Sequence, residues 1–303
     1  YERKRPMPVI TKQKITPRTK TLRSRRPETR EEKMIAALSP TLNVMVNAVR
    51  RVGQNIVHDF REVSNLQISE KGPGDFVSNA DLYSEKKLME LLHEARPDYA
   101  FLSEECGLVA GAKDCDYCFV MDPIDGTNNF IHALPLFAIS LALLKGDMVV
   151  AGVIFNPVTN ELYYAEKGKG AFLMTPTGNV RLRVSGRRQL KHCLLATNGY
   201  SAERTQKGLK NIAKDFASAR YFGSGALSLA MVAAGQVDVQ LEFRFHKWDI
   251  AAGYLLVQEA GGKISAFNGK TDLDSIVATN TLLAANPYLH ELLLPQMDKK
   301  LIK

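Results

Sequence analysis

Between Cys118 and about residue 184 this 303-residue chain reads as one short apolar run after another, and beyond Leu194 it changes to strands alternating with helices. That change of rhythm constrains the fold more than any other feature. Strands joined by tight turns make an antiparallel meander, whereas strand–helix alternation makes α/β units, so one core has to accommodate both. The meander is carried by Phe137–Leu144, Met148–Phe155 and Glu161–Ala165, separated by Lys145-Gly146-Asp147 and Asn156-Pro157 turns. The second half offers a strand at 194–197, helices near 203–215 and across 225–234, a strand at Val237–Leu241, a helix from Trp248 to Ala260, and then Lys263-Ile264.

The entry to this body is helical. Ser39-Pro40 supplies an N-cap and a first helical residue, and Leu42, Met45, Val46, Val49, Val52, Ile56, Val57 and Phe60 recur at near-helical spacing. Leu66–Ile68 reads as a strand and Lys71–Asp75 as a turn. Ser78 or Asn79 caps a second helix that stops near Pro97, and Ala100–Leu102 is a short strand ending in Ser103-Glu104-Glu105. With no internal repeat and no Gly/Ser linker, residues 38–303 are expected to form a single domain with an α+β half (38–184) and an α/β half (185–303).

The formal charge of +8 is local. Residues 1–33 hold twelve Lys or Arg against four acids, while the remaining 28 basic and 28 acidic residues cancel. That stretch has few apolar residues and no period, so residues 1–37 are expected to be a disordered or loosely attached basic extension. It lacks the apolar segment of a secretory signal, and no run approaches the roughly 20 apolar residues that span a bilayer. Four scattered cysteines do not make a disulfide framework, which points to a reducing cytoplasm. The Cys115-x-x-Cys118 pair has no partner pair for zinc.

The chemistry concentrates in Asp122-Pro123-Ile124-Asp125-Gly126-Thr127. Proline biases Asp122 toward extended backbone, so Asp122 is expected to close the strand 118–121. Gly126 permits a positive φ that turns Asp125 back toward Asp122 and leaves amides free to meet an anion. Hard carboxylate donors select Mg²⁺ over soft metals. Phosphoryl transfer between two cations needs acids from several segments, and this chain has three: Glu104-Glu105 after one strand, Asp122/Asp125 after another, and Asp249 at the start of a helix.

These three segments carry a resemblance. Phe101–Glu105, Asp122–Phe130 and Trp248-Asp249-Ile250-Ala251-Ala252-Gly253 resemble, in order and spacing, the signature motifs of the inositol monophosphatase family over about residues 40–297. The resemblance implies a layered α-β-α-β-α sandwich and a Li⁺-sensitive, usually homodimeric phosphomonoesterase that uses two or three Mg²⁺ ions. It assigns metal ligation to Glu104, Asp122, the Ile124 carbonyl, Asp125 and Asp249, with Glu105 acting through an outer-shell water. Thr127, hydrogen-bonded to an acid such as Glu104 or Asp81, would orient the attacking water, and the amides of Gly126 and Thr127 would hold phosphate oxygens. Gly223-Ser224-Gly225 and Glu242 match segments that meet the substrate's hydroxyls, with Gly225 standing where alanine is usual, and Lys71 matches a lysine on a loop beside the metals.

Rival motifs fail on spacing. Gly269-Lys270-Thr271 lacks the first P-loop glycine, since Ile264 stands there, and Gly223-Ser224-Gly225 is not a nucleophile elbow. The expectation is hydrolysis of myo-inositol 1-phosphate or a similar small polyol phosphate. The same chemistry on fructose 1,6-bisphosphate, histidinol phosphate, a nucleotide 3′-phosphate or NADP is the alternative. Bacterial members of the resembled family also serve as RNA-associated or transcription-complex partners, a role the basic extension would suit.

Overall fold

The computed structural model describes residues 29–62, 68–72, 75–175, 177–197 and 203–297. Three elements enter the fold first: α1 (Arg30–Ala36), α2 (Pro40–Arg61), and a hairpin of β1 (Ile68–Gly72) and β2 (Asp75–Ser78). They lead into α3 (Asn79–Ala95), β3 (Ala100–Ser103), β4 (Gly107–Val109), β5 (Tyr117–Asp125) and the short α4 (Thr127–Ile131). The expected meander follows as β6 (Ala138–Lys145), β7 (Met148–Asn156), β8 (Glu161–Glu166), β9 (Gly170–Thr175) and β10 (Gly178–Arg181). The second half runs β11 (Leu194–Thr197), α5 (Glu203–Ala213), β12 (Ser218–Arg220), α6 (Gly225–Ala233), β13 (Val239–Phe243) and α7 (Lys247–Glu259). It ends with β14 (Lys263–Ser265), α8 (Leu273–Thr279), β15 (Thr281–Ala285) and α9 (Pro287–Met297).

The strands make an eight-stranded sheet, β10-β9-β8-β7-β6-β5-β3-β4, and a five-stranded sheet, β12-β11-β13-β15-β14. Strand alternation divides their side chains between layers. On β6, Ile139, Leu141 and Leu143 face a cluster shared with Met45, Val49 and Ile56 of α2 and Leu88 and Leu92 of α3. Ala138, Ala142 and Leu144 face the opposite cluster, shared with Leu229, Ala230 and Val232 of α6 and Ala252, Leu255 and Leu256 of α7. That central cluster also takes Ala196, Leu282 and Ala284 from the smaller sheet. The sheet's outer face, Leu195, Val239, Leu241 and Leu283, is covered by α5 and α9. The result is the expected α-β-α-β-α sandwich, in which α6 and α7 are sealed between two sheets. Their closeness depends on Gly152, where a Cβ would lie 2.9 Å from the Ala252 carbonyl oxygen.

Several expectations are corrected. The loosely attached extension does not reach residue 37. Thr29 and Glu32 form a reciprocal capping box on α1, with Thr29 Oγ1 accepting the Glu32 N–H at 3.1 Å and Glu32 Oε2 accepting the Thr29 N–H at 2.7 Å. Ile35 is buried in the α2 cluster. Residues 1–28, and Leu66 and Gln67 of the expected strand, lie outside the described residues. Val237 and Asp238 are not ladder residues. The Asp238 carboxylate is turned to other work, accepting the Leu194 N–H at 2.8 Å and pairing with Arg187 at 3.1 Å. Nor is the second half a pure α/β alternation, because β15 inserts antiparallel between β13 and β14. Among the described residues no helix is long and apolar enough to cross a membrane.

Candidate active site

The site is built on an irregularity in β5. Asp122 pairs with Ser140 of β6 and Asp125 with Ala138, so three steps along β5 oppose two along β6. This is a β-bulge, and it corrects the expectation that the strand closes at Asp122. Without it, residues 122 and 125 would point to opposite faces, because side chains alternate with a period of two. The extra residue brings both carboxylates to the face that Ala138 and Ser140 share, toward α6 and α7. Pro123, which cannot donate to a ladder, sits within the bulge.

The helix on that face supplies the third acid. Ser140 Oγ donates to the Trp248 carbonyl at 2.9 Å, pinning the start of α7 to β6. Asp249, in the first turn of α7, accepts the His246 N–H at 2.6 Å. Carboxylate oxygens of Asp122, Asp125 and Asp249 all lie within 4.8 Å of one another. Glu104, in the turn after β3, lines the same cavity of about 530 Å³ with Ile124, Gly126, Thr127 and Gly223.

Electrostatics test what the cluster is for. Burial pushes the Asp122 and Asp249 carboxyls well above the ordinary range, and the neighbouring acids add to it: Glu104, Asp125 and Asp249 around Asp122, Asp125 and Glu104 around Asp249. Burial also raises Asp125, to about 6, against hydrogen bonds from Ser224, Ala226 and Gly225. Among the described residues no Lys or Arg forms an ion pair with Asp122, Asp125 or Asp249. Crowded, desolvated carboxylates that no cationic side chain pairs with are a donor set that a divalent cation completes, and all-oxygen donors fit Mg²⁺. The residues present fit the metal that the sequence implied.

Thr127 stands at the start of α4, its hydroxyl 3.3 Å from Asp81 Oδ1 and 3.2 Å from the Ile124 carbonyl. Of the two acids expected to partner it, Asp81 is the one seen bonded. Gly126 needs to be glycine: its φ is 101°, and a Cβ would lie 3.0 Å from the Gly223 carbonyl oxygen and 3.1 Å from that of Leu136.

Ser224 has a role the sequence did not suggest. It caps α6 by accepting the Leu227 N–H at 3.2 Å and donates its hydroxyl to Asp125 Oδ2, which also accepts the Ala226 N–H at 2.8 Å. The start of α6 therefore holds a metal-site acid. Gly223, Gly225 and Glu242 line an adjoining cavity of about 470 Å³ that shares Asp125, Asn128, Gly223 and Asp249 with the first. Glu242 is buried, which pushes its carboxyl up to about 8, and it accepts a hydrogen bond from Gln240 Nε2 at 2.7 Å.

Glu105 is not among the residues lining either cavity; its N–H donates to Glu85 at 2.9 Å. Lys71 is a strand residue of β1 rather than a turn residue, and its side chain lies outside the described residues. Glu85 itself was missed. It is buried and also accepts the Cys106 N–H at 2.8 Å, so it anchors the turn that presents Glu104. A signal existed: Asp81, Glu85, Leu88 and Leu92 fall on one face of α3, which puts two acids on a buried stripe. His246, stacked on Trp248 at 4.6 Å, lines the rim of the metal cavity.

A five-layered α/β sandwich that brings acids from three segments to one cavity, beside a threonine hydroxyl bonded to a buried aspartate, defines a metal-dependent phosphatase. Comparison with known proteins narrows the class. The model of the inositol monophosphatase family matches residues 37–301. An inositol-1-monophosphatase from Caulobacter vibrioides is 44% identical over 259 residues, 84% of this chain and 99% of that protein. The Nus factor SuhB of Escherichia coli K12 is 38% identical, covering 87% of this chain and 98% of its own length. Among solved structures, the extragenic suppressor protein SuhB from Bartonella henselae superposes with a TM-score of 0.81 at 41% identity, covering 86% of this chain and 99% of that one. The chain belongs to the inositol monophosphatase family.

Proposed function

We propose that this phosphatase is a Mg²⁺-dependent hydrolase of myo-inositol 1-phosphate or a similar small polyol phosphate, yielding the alcohol and inorganic phosphate. The convergence of Asp122 and Asp125 of β5 with Asp249 of α7 on one point supports this reading above all. Glu104, Asp122, the Ile124 carbonyl, Asp125 and Asp249 would hold two or three ions. Bound Mg²⁺ supplies Lewis-acid activation of water and neutralises charge on the phosphate oxygens.

The chain's own groups do the positioning. Asp81, buried on α3, accepts from Thr127 Oγ1 and so fixes the direction of that hydroxyl. Thr127 is thereby set to orient a water for in-line attack on phosphorus, with the released proton passing toward Asp81 or Glu104. Amides of Gly126 and Thr127 meet the phosphate oxygens. Glu242, which lines the second cavity, would accept hydrogen bonds from hydroxyls of the leaving alcohol. Glu105 and Lys71 are assigned accessory roles in water and metal placement.

Inhibition by Li⁺, a homodimer and a cytoplasmic location accompany this reading, as family-typical properties. Phosphate release measured at fixed Mg²⁺ across myo-inositol 1-phosphate, fructose 1,6-bisphosphate, histidinol phosphate, a nucleotide 3′-phosphate and NADP tests it. The inositol ester should give the highest kcat/KM, and release from none of the five would refute it. A second role is favoured by the relatives named Nus factor SuhB. The basic residues 1–33 would then engage RNA or the transcription machinery, which predicts salt-dependent RNA binding that deletion of that segment abolishes.

A further inference from the structure

The central apolar layer contains an amide that the fold does not need. Gln240 is fully buried on β13, and strand alternation puts it on the same face as Glu242, toward the central cluster, while Leu241 between them faces the outer cluster. Its ladder partners on both sides are alanines of the central cluster, Ala196 of β11 and Ala284 of β15. Two small residues thus flank a slot in the middle of the sheet that a methionine would fill with little change of volume.

Burying an amide there carries a desolvation cost that its bonds have to offset. Nε2 donates to Glu242 Oε2 at 2.7 Å and, at 3.4 Å, to the carbonyl of Gly225, the first residue of α6. Oε1 is buried with no hydrogen-bond partner among the described residues. The Gly225 carbonyl does not depend on the amide, because the first carbonyl of an α-helix accepts the N–H four residues on. Glu242 does depend on it. Gln240 is its one hydrogen-bond donor among the described residues, and no Lys or Arg pairs with it there. A half-satisfied amide in an apolar layer is explained by what it does to that carboxylate.

The last torsion of a glutamate side chain has no sharp rotamer, so nothing intrinsic aims its oxygens. Gln240 takes Oε2 and leaves Oε1 for the second cavity, which Glu242 and Gly225 both line. The same bond opposes burial, which pushes this carboxyl up to about 8, and so favours the ionised form that accepts hydrogen bonds. Through Gly225 the amide also ties β13 to the start of α6, where the Ser224 hydroxyl and the Ala226 amide hold Asp125 Oδ2. One hydrogen-bonded path therefore runs from a metal-site acid to Glu242, and it aims Glu242 relative to the metal site.

We infer that Gln240 is a positioning residue for the leaving alcohol: it holds the Glu242 carboxylate facing the second cavity, so that recognition of the alcohol's hydroxyls is preset before substrate arrives. This rests on the phosphatase reading above, in which Glu242 meets those hydroxyls. The test compares kcat/KM for myo-inositol 1-phosphate with that for p-nitrophenyl phosphate, whose leaving group offers Glu242 no hydroxyl, in the wild type, Gln240→Met, Glu242→Ala and the double variant. Each ratio is measured on one preparation, so it does not depend on how much of that preparation is folded. The inositol-to-aryl ratio should fall about tenfold in Gln240→Met, as expected for loss of a charge-assisted hydrogen bond, with the change carried by KM. Added to Glu242→Ala, Gln240→Met should leave the ratio where Glu242→Ala alone puts it. A merely structural amide would lower both esters alike. A Gln240→Met ratio equal to wild type, or one that falls again by the same factor on Glu242→Ala, would overturn the assignment. Release of phosphate from neither ester by the wild type, or a Glu242→Ala ratio equal to wild type, would instead reject the reading of the site beneath it.

Discussion

Replacing Glu85 with alanine should disable the site from outside it. Glu85 is 1% exposed, and its carboxylate accepts the amide hydrogens of Glu105 and Cys106 at 2.9 and 2.8 Å. Those bonds hold the turn that carries Glu104 into the metal cavity. Charge-assisted hydrogen bonds contribute about 1.5–3 kcal/mol each, and water can reach this half-exposed turn, so the net loss should be about 3 kcal/mol. Freeing Glu104 should lower kcat/KM about tenfold and raise the Mg²⁺ concentration that the reaction needs. A second readout is independent of activity. The Cys106 thiol is pushed up to about 11 from an ordinary 9.0, chiefly by its hydrogen bond to Glu85. Returning it toward 9 multiplies the thiolate at pH 8 by about 100, and the lower nucleophilicity of the more acidic thiol removes about tenfold. Alkylation of Cys106, followed by mass spectrometry, should therefore quicken about tenfold in Glu85→Ala. Glu85→Gln, which keeps one acceptor and loses the charge, should fall between. An Ala variant with unchanged alkylation and unchanged phosphate release would refute the anchoring role.

Other perturbations have equally defined outcomes. Gly126→Ala must adopt a φ of 101° and bring a Cβ to 3.0 Å from a backbone carbonyl, so calorimetry should show a loss of about 2–4 kcal/mol together with loss of activity. Asp238→Ala leaves the Leu194 amide without its acceptor and removes the partner of the half-exposed Arg187, and should destabilise by about 2 kcal/mol in denaturant titration, with m unchanged. Burial first, and then Lys263, lowers the His290 imidazole from 6.5 to about 4, so the folded chain refuses a proton that the unfolded chain accepts below pH 6.5. Stability from this group is complete above 6.5 and is lost as pH falls toward 4, by about 3 kcal/mol in all. The stability difference between wild type and His290→Gln should shrink over that window, and a constant difference would reject the assignment.

The residues differ in how openly they declared their roles. Asp122, Asp125 and Asp249 were legible because acids at strand ends and helix starts are local features. Their meeting was not, because it depends on a one-residue bulge opposite Ser140 and Ala138 that no local pattern announces. The layering followed from alternation, which sorted β6 onto two clusters much as a period of two requires. The end of the chain escaped: β15 reads as a short apolar run whose place between β13 and β14 is a long-range choice. Ser224 was expected beside the substrate's hydroxyls, and its link between α6 and Asp125 was not foreseen, because capping and carboxylate binding use the same hydroxyl. Glu85 was hidden by its charge, since an acid in a helix is ordinarily solvated and only its place on the Leu88/Leu92 stripe marks it as buried.

The central claim is that three segments share one cation site, and Asp249 is the member most remote in sequence from Asp122 and Asp125. Mg²⁺-dependent release of phosphate from myo-inositol 1-phosphate should be abolished in Asp249→Asn, with the fold retained by circular dichroism, and Mg²⁺ should raise the unfolding temperature of the wild type but not of the variant. Asp249→Asn with wild-type phosphate release and a wild-type response to Mg²⁺ would contradict it.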